Sequence, residues 1–231
     1  MTTAVLPLPA HANAGDRDLR IACRRPDTDQ DFFGAGPAAE TRARAVCLGC
    51  PVLVQCLRKR SLVDLDSDVW GVLGGLSADQ RRALSVAEQL GERPELRTAR
   101  TLLTPRWRYR LHNLRVSGQT PERIAQVLRQ EGLELNPVTV RVAVWWSGGA
   151  GGLMARRARG DQRPLWKRVR DDHADVILQL RNRGTRQVDI AAYLGVHINT
   201  YVRAIQSLEA RRTEASRSAD QMAFDAFGAA A

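Results

Sequence analysis

All four cysteines of this 231-residue chain, Cys23, Cys47, Cys50 and Cys56, lie in its first quarter, and that confinement constrains the fold more than any other feature. Around them the sequence offers only short helix-compatible stretches. From Pro37 to Val46, Ala39, Ala43 and Val46 fall on one face, and Pro51 opens a second apolar-periodic stretch through Val52, Leu53, Cys56 and Leu57. Isolated helices of this length are marginal in water, so ligation of the thiols is expected to supply much of their organisation. Cys47-Leu-Gly-Cys50 puts two thiols within reach of one inorganic centre, and Cys56 and Cys23 make the available ligands four.

A disulfide pair, a structural zinc and an iron–sulfur cluster all use such a set. Met1 to Gly15 has no basic n-region, and its apolar stretch Ala4 to Ala10 is broken by Pro7 and Pro9, so a cytoplasmic location is expected, where stable disulfides are rare. No run approaches the roughly 18 apolar residues of a membrane span, and no membrane partner is expected. Four-thiolate zinc sites are mostly built from two close pairs. One pair and two single cysteines stand nearer to the uneven spacings of iron–sulfur ligands, with a zinc-stabilised DNA-binding protein left as an alternative. Four thiolates satisfy all four irons of a [4Fe-4S] cube and leave none open for a substrate, which favours sensing or structure over catalysis.

Catalytic signatures are otherwise missing from the sequence. It has no Gly-x-Ser-x-Gly and no phosphate loop, and His11, His112, His173 and His197 are scattered, so neither an enzyme nor a small-molecule substrate is expected. The enzymatic alternative is a thiol–disulfide oxidoreductase using Cys47-x-x-Cys50 in the metal-free form, against which no thioredoxin-like strand–helix alternation surrounds the motif.

The residues around the cysteines carry a resemblance. Cys23-Arg-Arg-Pro-Asp-Thr-Asp-Gln-Asp-Phe-Phe33, Cys47-x2-Cys50-x5-Cys56 and Gly71-Val-Leu-Gly-Gly75-Leu-Ser, with Arg81 and Arg82 following, are similar to the WhiB-like (Wbl) transcription factors of actinobacteria and their phages. The match runs from about Leu19 to Leu84. The resemblance implies that the four cysteines hold a [4Fe-4S] cluster sensitive to oxygen and nitric oxide. It also implies docking on the principal sigma factor of RNA polymerase through the glycine turn; the expected contacts are Phe32, Phe33, Gly71, Leu73, Gly74 and Gly75, with Trp70 either filling the same apolar pocket or serving as a core aromatic. The family turn usually reads Gly-Val/Ile-Trp-Gly-Gly, and here Leu73 stands in the Trp position.

Charge separates the chain into unequal parts. Residues 1–103 hold 14 basic and 13 acidic side chains, residues 104–215 hold 20 and 10, and the last sixteen hold 1 and 2. A basic excess confined to one segment is the expected footprint of a polyanion partner, here DNA. Within that segment Asp175 to Leu180, Gln187 to Leu194, the turn Gly195-Val196 and His197 to Ile205 form a helix-turn-helix pattern. Asn199, Arg203 and Gln206 are the exposed side chains of its last helix suited to base edges, and Arg181, Arg183 and Arg186 are the expected phosphate contacts.

A weaker copy precedes it, with Ile124-Ala125-x2-Leu128 repeating Ile190-Ala191-x2-Leu194. Its last segment, Val138 to Trp146, alternates like a strand. The expected architecture is all-α: a disordered N-terminus (1–18), the cluster domain (19–90), a linker (91–104), a first helix-turn-helix-like unit (105–146), a flexible basic linker (147–164), a second helix-turn-helix domain (165–212) and a disordered tail (213–231). The expected function is cluster-dependent, redox- or nitric-oxide-responsive transcription regulation.

Overall fold

The computed structural model of the chain describes residues 23, 32, 36–59, 71–149 and 161–228. These residues form eleven helices and one hairpin: α1 (Pro37–Leu48), α2 (Leu53–Lys59), β1 (Val72–Leu73), β2 (Leu76–Ser77), α3 (Ala78–Gln89), α4 (Leu96–Thr101), α5 (Pro105–Val116), α6 (Pro121–Gln130), α7 (Pro137–Trp146), α8 (Leu165–Asp172), α9 (Ala174–Asn182), α10 (Gln187–Leu194) and α11 (Ile198–Gly228). The expected all-α class holds. Among the described residues no helix is long and apolar enough to cross a membrane.

The hairpin pairs Val72 with Ser77 and Leu73 with Leu76 in antiparallel register. Its two turn residues, Gly74 and Gly75, have φ of 57° and 74°, the positive values that a two-residue type I′ hairpin needs at both positions. Ser77 then starts α3 through a capping box: its Oγ accepts from the Gln80 N–H at 3.4 Å, while its own N–H donates to Gln80 Oε1 at 3.0 Å. Arg81, 1% exposed, straps the hairpin to α3 by donating to the Gly71 and Leu76 carbonyls at 3.1 and 2.7 Å.

The segment expected as a strand is α7. Asn136 caps it by accepting from the Thr139 N–H at 2.9 Å, and Pro137 occupies the first turn. Val138 to Trp146 are buried on every side, against α4 and α6 and in part against α3. A helix that is apolar all round belongs in the middle of a protein, and burial on all faces overrides the β-preference of its valines. The weak copy 105–146 is therefore a trihelical unit, α5 to α7, whose last helix is core and has no free face for bases.

The segment 91–104, expected as a linker, contains α4, whose Leu96 and Ala99 are buried against α7. The segment expected as the second helix-turn-helix domain opens with α8, where Val169 is fully buried and Arg170 donates to Ser207 Oγ at 2.9 Å. The tail expected from residue 213 continues α11 to Gly228, because no glycine or proline interrupts an Ala-, Arg- and Glu-rich run before that residue.

α9, α10 and α11 make the anticipated trihelical unit. Gly195 takes φ 68° and ψ 34° after α10, and Tyr201 and Ile205 of α11 close the core. This unit does not stand apart. α10 lies along α3, and its buried Asp189 is gripped by Arg186 at 2.7 Å and approached by Arg82 at 3.7 Å. A single apolar core thus runs from Cys47 through α7 to Ile205.

Candidate functional site

Cys47 sits in the last turn of α1, and its carbonyl accepts from the Cys50 N–H at 3.0 Å in the bend that leads to α2. Cys56 lies on α2, where its N–H donates to the Val52 carbonyl at 2.8 Å. Cys47 and Cys50 are buried, Cys56 half-buried and Cys23 exposed, and all four are free thiols. The bend places the Cys47-x-x-Cys50 pair at a helix end, and α2 returns Cys56 to the same neighbourhood.

The hairpin turn closes over two of these sulfurs. The Gly75 N–H donates to Cys47 and the Gly74 N–H to Cys56. Burial pushes the Cys47 thiol up to about 12, the Gly75 hydrogen bond opposes this, and the charges of Cys56, Cys23 and Cys50 raise it further. Burial likewise raises Cys56, opposed by the Gly74 N–H and, last, by Arg81, while Cys23 and Cys50 add to the rise. Cys47 and Cys56 are thus shifted by the same two opposing causes, burial and a glycine N–H. They are not drawn to ligand spacing: among the described residues no three His, Cys, Asp or Glu side chains are grouped to hold a metal ion.

The donor set nevertheless fits a four-thiolate centre in its chemistry. It offers four free thiols and backbone N–H groups aimed at two of the sulfurs, the outer-shell donors that a ligating thiolate needs. Phe32 is 7% exposed and belongs to the core that contains Cys47.

The carbonyls of the turn are held as well. Arg44, itself paired with Glu40 at 2.8 Å, donates through Nε to the Gly75 oxygen at 3.2 Å. Trp146 Nε1 donates to the Gly74 oxygen at 2.9 Å. A Cβ on Gly74 would stand 2.9 Å from Leu57 Cβ, and one on Gly75 would stand 2.9 Å from both Cδ1 and Nε1 of Trp146. Both glycines are buried against the chain's own α2 and α7. Gly74 and Gly75 were expected as sigma-factor contacts, and their packing here is within the chain. Gly71 and Leu73 stay half-exposed at the hairpin's edge, and Phe33 and Trp70 lie outside the described residues.

The expected base-contacting residues separate from the expected phosphate contacts. Asn199, Arg203 and Gln206 are exposed on α11 at spacings of four and three, so they line one face, with the Arg203 guanidinium 4.7 Å from the centre of the Trp166 ring. Arg181 pairs with Glu209 at 2.5 Å, Arg183 donates to the Gln89 carbonyl at 2.6 Å, and Arg186 pairs with Asp189. These three arginines, expected as phosphate contacts, make bonds that hold the trihelical unit together and to α3.

Other basic residues gather where the sequence gave no periodic signal. Arg58 of α2 and Arg97 and Arg100 of α4 line one cleft of about 360 Å³, and Arg108, His112 and Arg115 of α5 line another of about 320 Å³ beside the exposed Tyr109. The roles of Trp146, Arg44 and Arg82 were also invisible in sequence, because each acts through a partner distant in the chain.

The family "Transcription factor WhiB" matches residues 18–84, the segment from just before Cys23 into α3. Transcriptional regulator WhiB1 of Bifidobacterium longum is 39% identical over 79 residues, which cover 32% of this chain and 80% of that protein. WhiB1 of Mycobacterium tuberculosis is 39% identical over 71 residues, 28% of this chain and 79% of that protein. The redox-responsive transcriptional regulator WhiB3 of Mycolicibacterium smegmatis is 34% identical over 85 residues, 34% of this chain and 84% of its own length. No solved structure matches the chain. With the cysteine spacing, the hairpin closed over the thiols and relatives matched over most of their length, the chain belongs to the WhiB family of transcription factors.

Proposed function

We propose that this protein is a transcription regulator whose DNA-binding output depends on an iron–sulfur centre held by Cys23, Cys47, Cys50 and Cys56. The observation that supports the reading is a glycine turn whose N–H groups meet the Cys47 and Cys56 sulfurs, in a chain with the cysteine spacing of the WhiB family. When bound, a [4Fe-4S] cluster supplies redox chemistry and reactivity toward oxygen and nitric oxide. The chain's own contribution is to bury Cys47 and Cys50, to aim N–H donors at two sulfurs and to fix both carbonyls of the turn.

DNA is read by α11, through Asn199, Arg203 and Gln206 on one exposed face. Phosphates are taken by the arginine-lined clefts, Arg97 and Arg100 foremost, since Arg181, Arg183 and Arg186 are engaged within the fold. The principal sigma factor of RNA polymerase docks at the half-exposed edge of the hairpin, Gly71 and Leu73.

The test is metal analysis of protein purified without oxygen: four irons and four acid-labile sulfides per chain are expected, lost when any one of the four cysteines becomes serine. One zinc per chain with neither iron nor sulfide refutes the reading. Cluster-loaded protein that fails to co-purify with the sigma factor's C-terminal region refutes the docking.

A further inference from the structure

Trp146 is fully buried and belongs to α7, beyond the segment that matches the family, yet it reaches the cysteine centre. Its indole N–H donates to the Gly74 oxygen at 2.9 Å. The N–H at the other end of that same peptide unit is Gly75's, and it donates to the Cys47 sulfur. One rigid plane therefore has an indole on its oxygen and a cysteine on its hydrogen, and a rotation at one end is a rotation at the other. A hydrogen bond accepted at the carbonyl also polarises the N–H opposite and strengthens its donation. The approach depends on the bare Cα of Gly75, since a Cβ there would press on the indole at 2.9 Å.

We propose that Trp146 is a positioning residue of the cysteine centre, holding the Gly74–Gly75 peptide so that its N–H faces Cys47. The inference rests on the reading of the four cysteines as one ligand set. Arg44 holds the next carbonyl of the turn, donating to the Gly75 oxygen. Trp146 gives the C-terminal half of the chain a hand in the properties of a centre built entirely from the N-terminal half. The same helix carries Arg141, whose Nη2 donates to the Tyr193 oxygen of α10 at 2.9 Å, so α7 touches both the glycine turn and the trihelical unit.

Anaerobic loading of the full-length reduced chain with Co(II) tests this, because thiolate-to-cobalt charge-transfer bands report on the sulfurs directly. Trp146→Phe keeps an apolar ring and removes the N–H; the control is Val144→Ala, which opens a cavity about 200° round the helix from Trp146. Trp146→Phe is expected to move the thiolate band and to speed removal of Co(II) by EDTA about fivefold, the factor carried by one ordinary hydrogen bond. Val144→Ala is expected to leave the band where it is. A Trp146→Phe chain with the unaltered band and release rate overturns the proposal, as does a Val144→Ala chain that moves the band equally. If Trp146→Phe does not fold, benzothienylalanine at position 146, which replaces only the N–H, gives the same two outcomes. A wild-type chain that shows no thiolate band overturns the ligand-set reading, and the proposal with it.

Discussion

Replacing Gly75 by alanine isolates the close approach between the turn and α7. Gly75 and Gly91 both have positive φ, 74° and 86°, so an alanine at either carries a left-handed backbone cost of about 1 kcal/mol. Around Gly91 a Cβ meets nothing within 4 Å, whereas at Gly75 it meets Trp146 at 2.9 Å. The indole must move, with an overpacking cost of about 1–3 kcal/mol, and moving it breaks the bond to the Gly74 oxygen, which is worth about 1 kcal/mol. Gly75→Ala is therefore expected to destabilise the metal-free, reduced chain by about 3 kcal/mol more than Gly91→Ala. In urea unfolding followed by far-ultraviolet circular dichroism, with a slope of about 2 kcal/mol per molar, the gap is about 1.5 M in midpoint. Midpoints for the two variants that agree to within about 0.25 M, or about 0.5 kcal/mol, refute the packing argument.

Three further outcomes are expected. Asn199→Ala or Arg203→Ala costs about 1–3 kcal/mol of affinity at one base position, while Arg97→Ala or Arg100→Ala weakens all sequences and flattens the salt slope by roughly one; Arg183→Ala leaves the slope unchanged, and fluorescence anisotropy across a salt series separates the three patterns. The metal-free chain loses stability in alkali: the folded state favours the neutral Cys47 and Cys56 thiols, so their contribution is whole below the ordinary thiol value of 9.0 and is lost as pH rises through about 12, and urea midpoints that do not fall between about pH 8 and about pH 10.5 contradict this. A fragment beginning at Thr104 lacks α3 and α4, which cover α10 and α7, so it is expected to bind a hydrophobic dye and unfold without a cooperative transition; a sharp transition with no dye binding shows that the C-terminal half is self-sufficient.

Much of the local structure was legible in the residues. Gly195 marked the turn after α10, and the structure gives it the left-handed conformation there. The spacing of Ile190, Ala191 and Leu194 identified a buried face correctly. For the site, the uneven cysteine spacing suggested one shared centre, and the structure sets Cys47 and Cys56 against neighbouring glycines of one turn. These features were readable because periodicity, capping and turn chemistry are properties of residues a few positions apart.

What the sequence by itself determined is the apolar face of α10, the turn that ends it, where the thiols cluster, and that the basic excess lies after residue 103. Tertiary structure alone decided what those faces meet. Val138 to Trp146 has the alternation of a strand, and burial on all sides makes it a helix. Arg181, Arg183 and Arg186 are three arginines of one stretch in the sequence, and only the fold brings Glu209, Gln89 and Asp189 beside them. Trp146 and Gly74 are 72 positions apart, and nothing in the local pattern of either names the other. Hydrophobic burial specifies how much surface must be covered but not by which partner, and that choice is made only when all the helices pack at once.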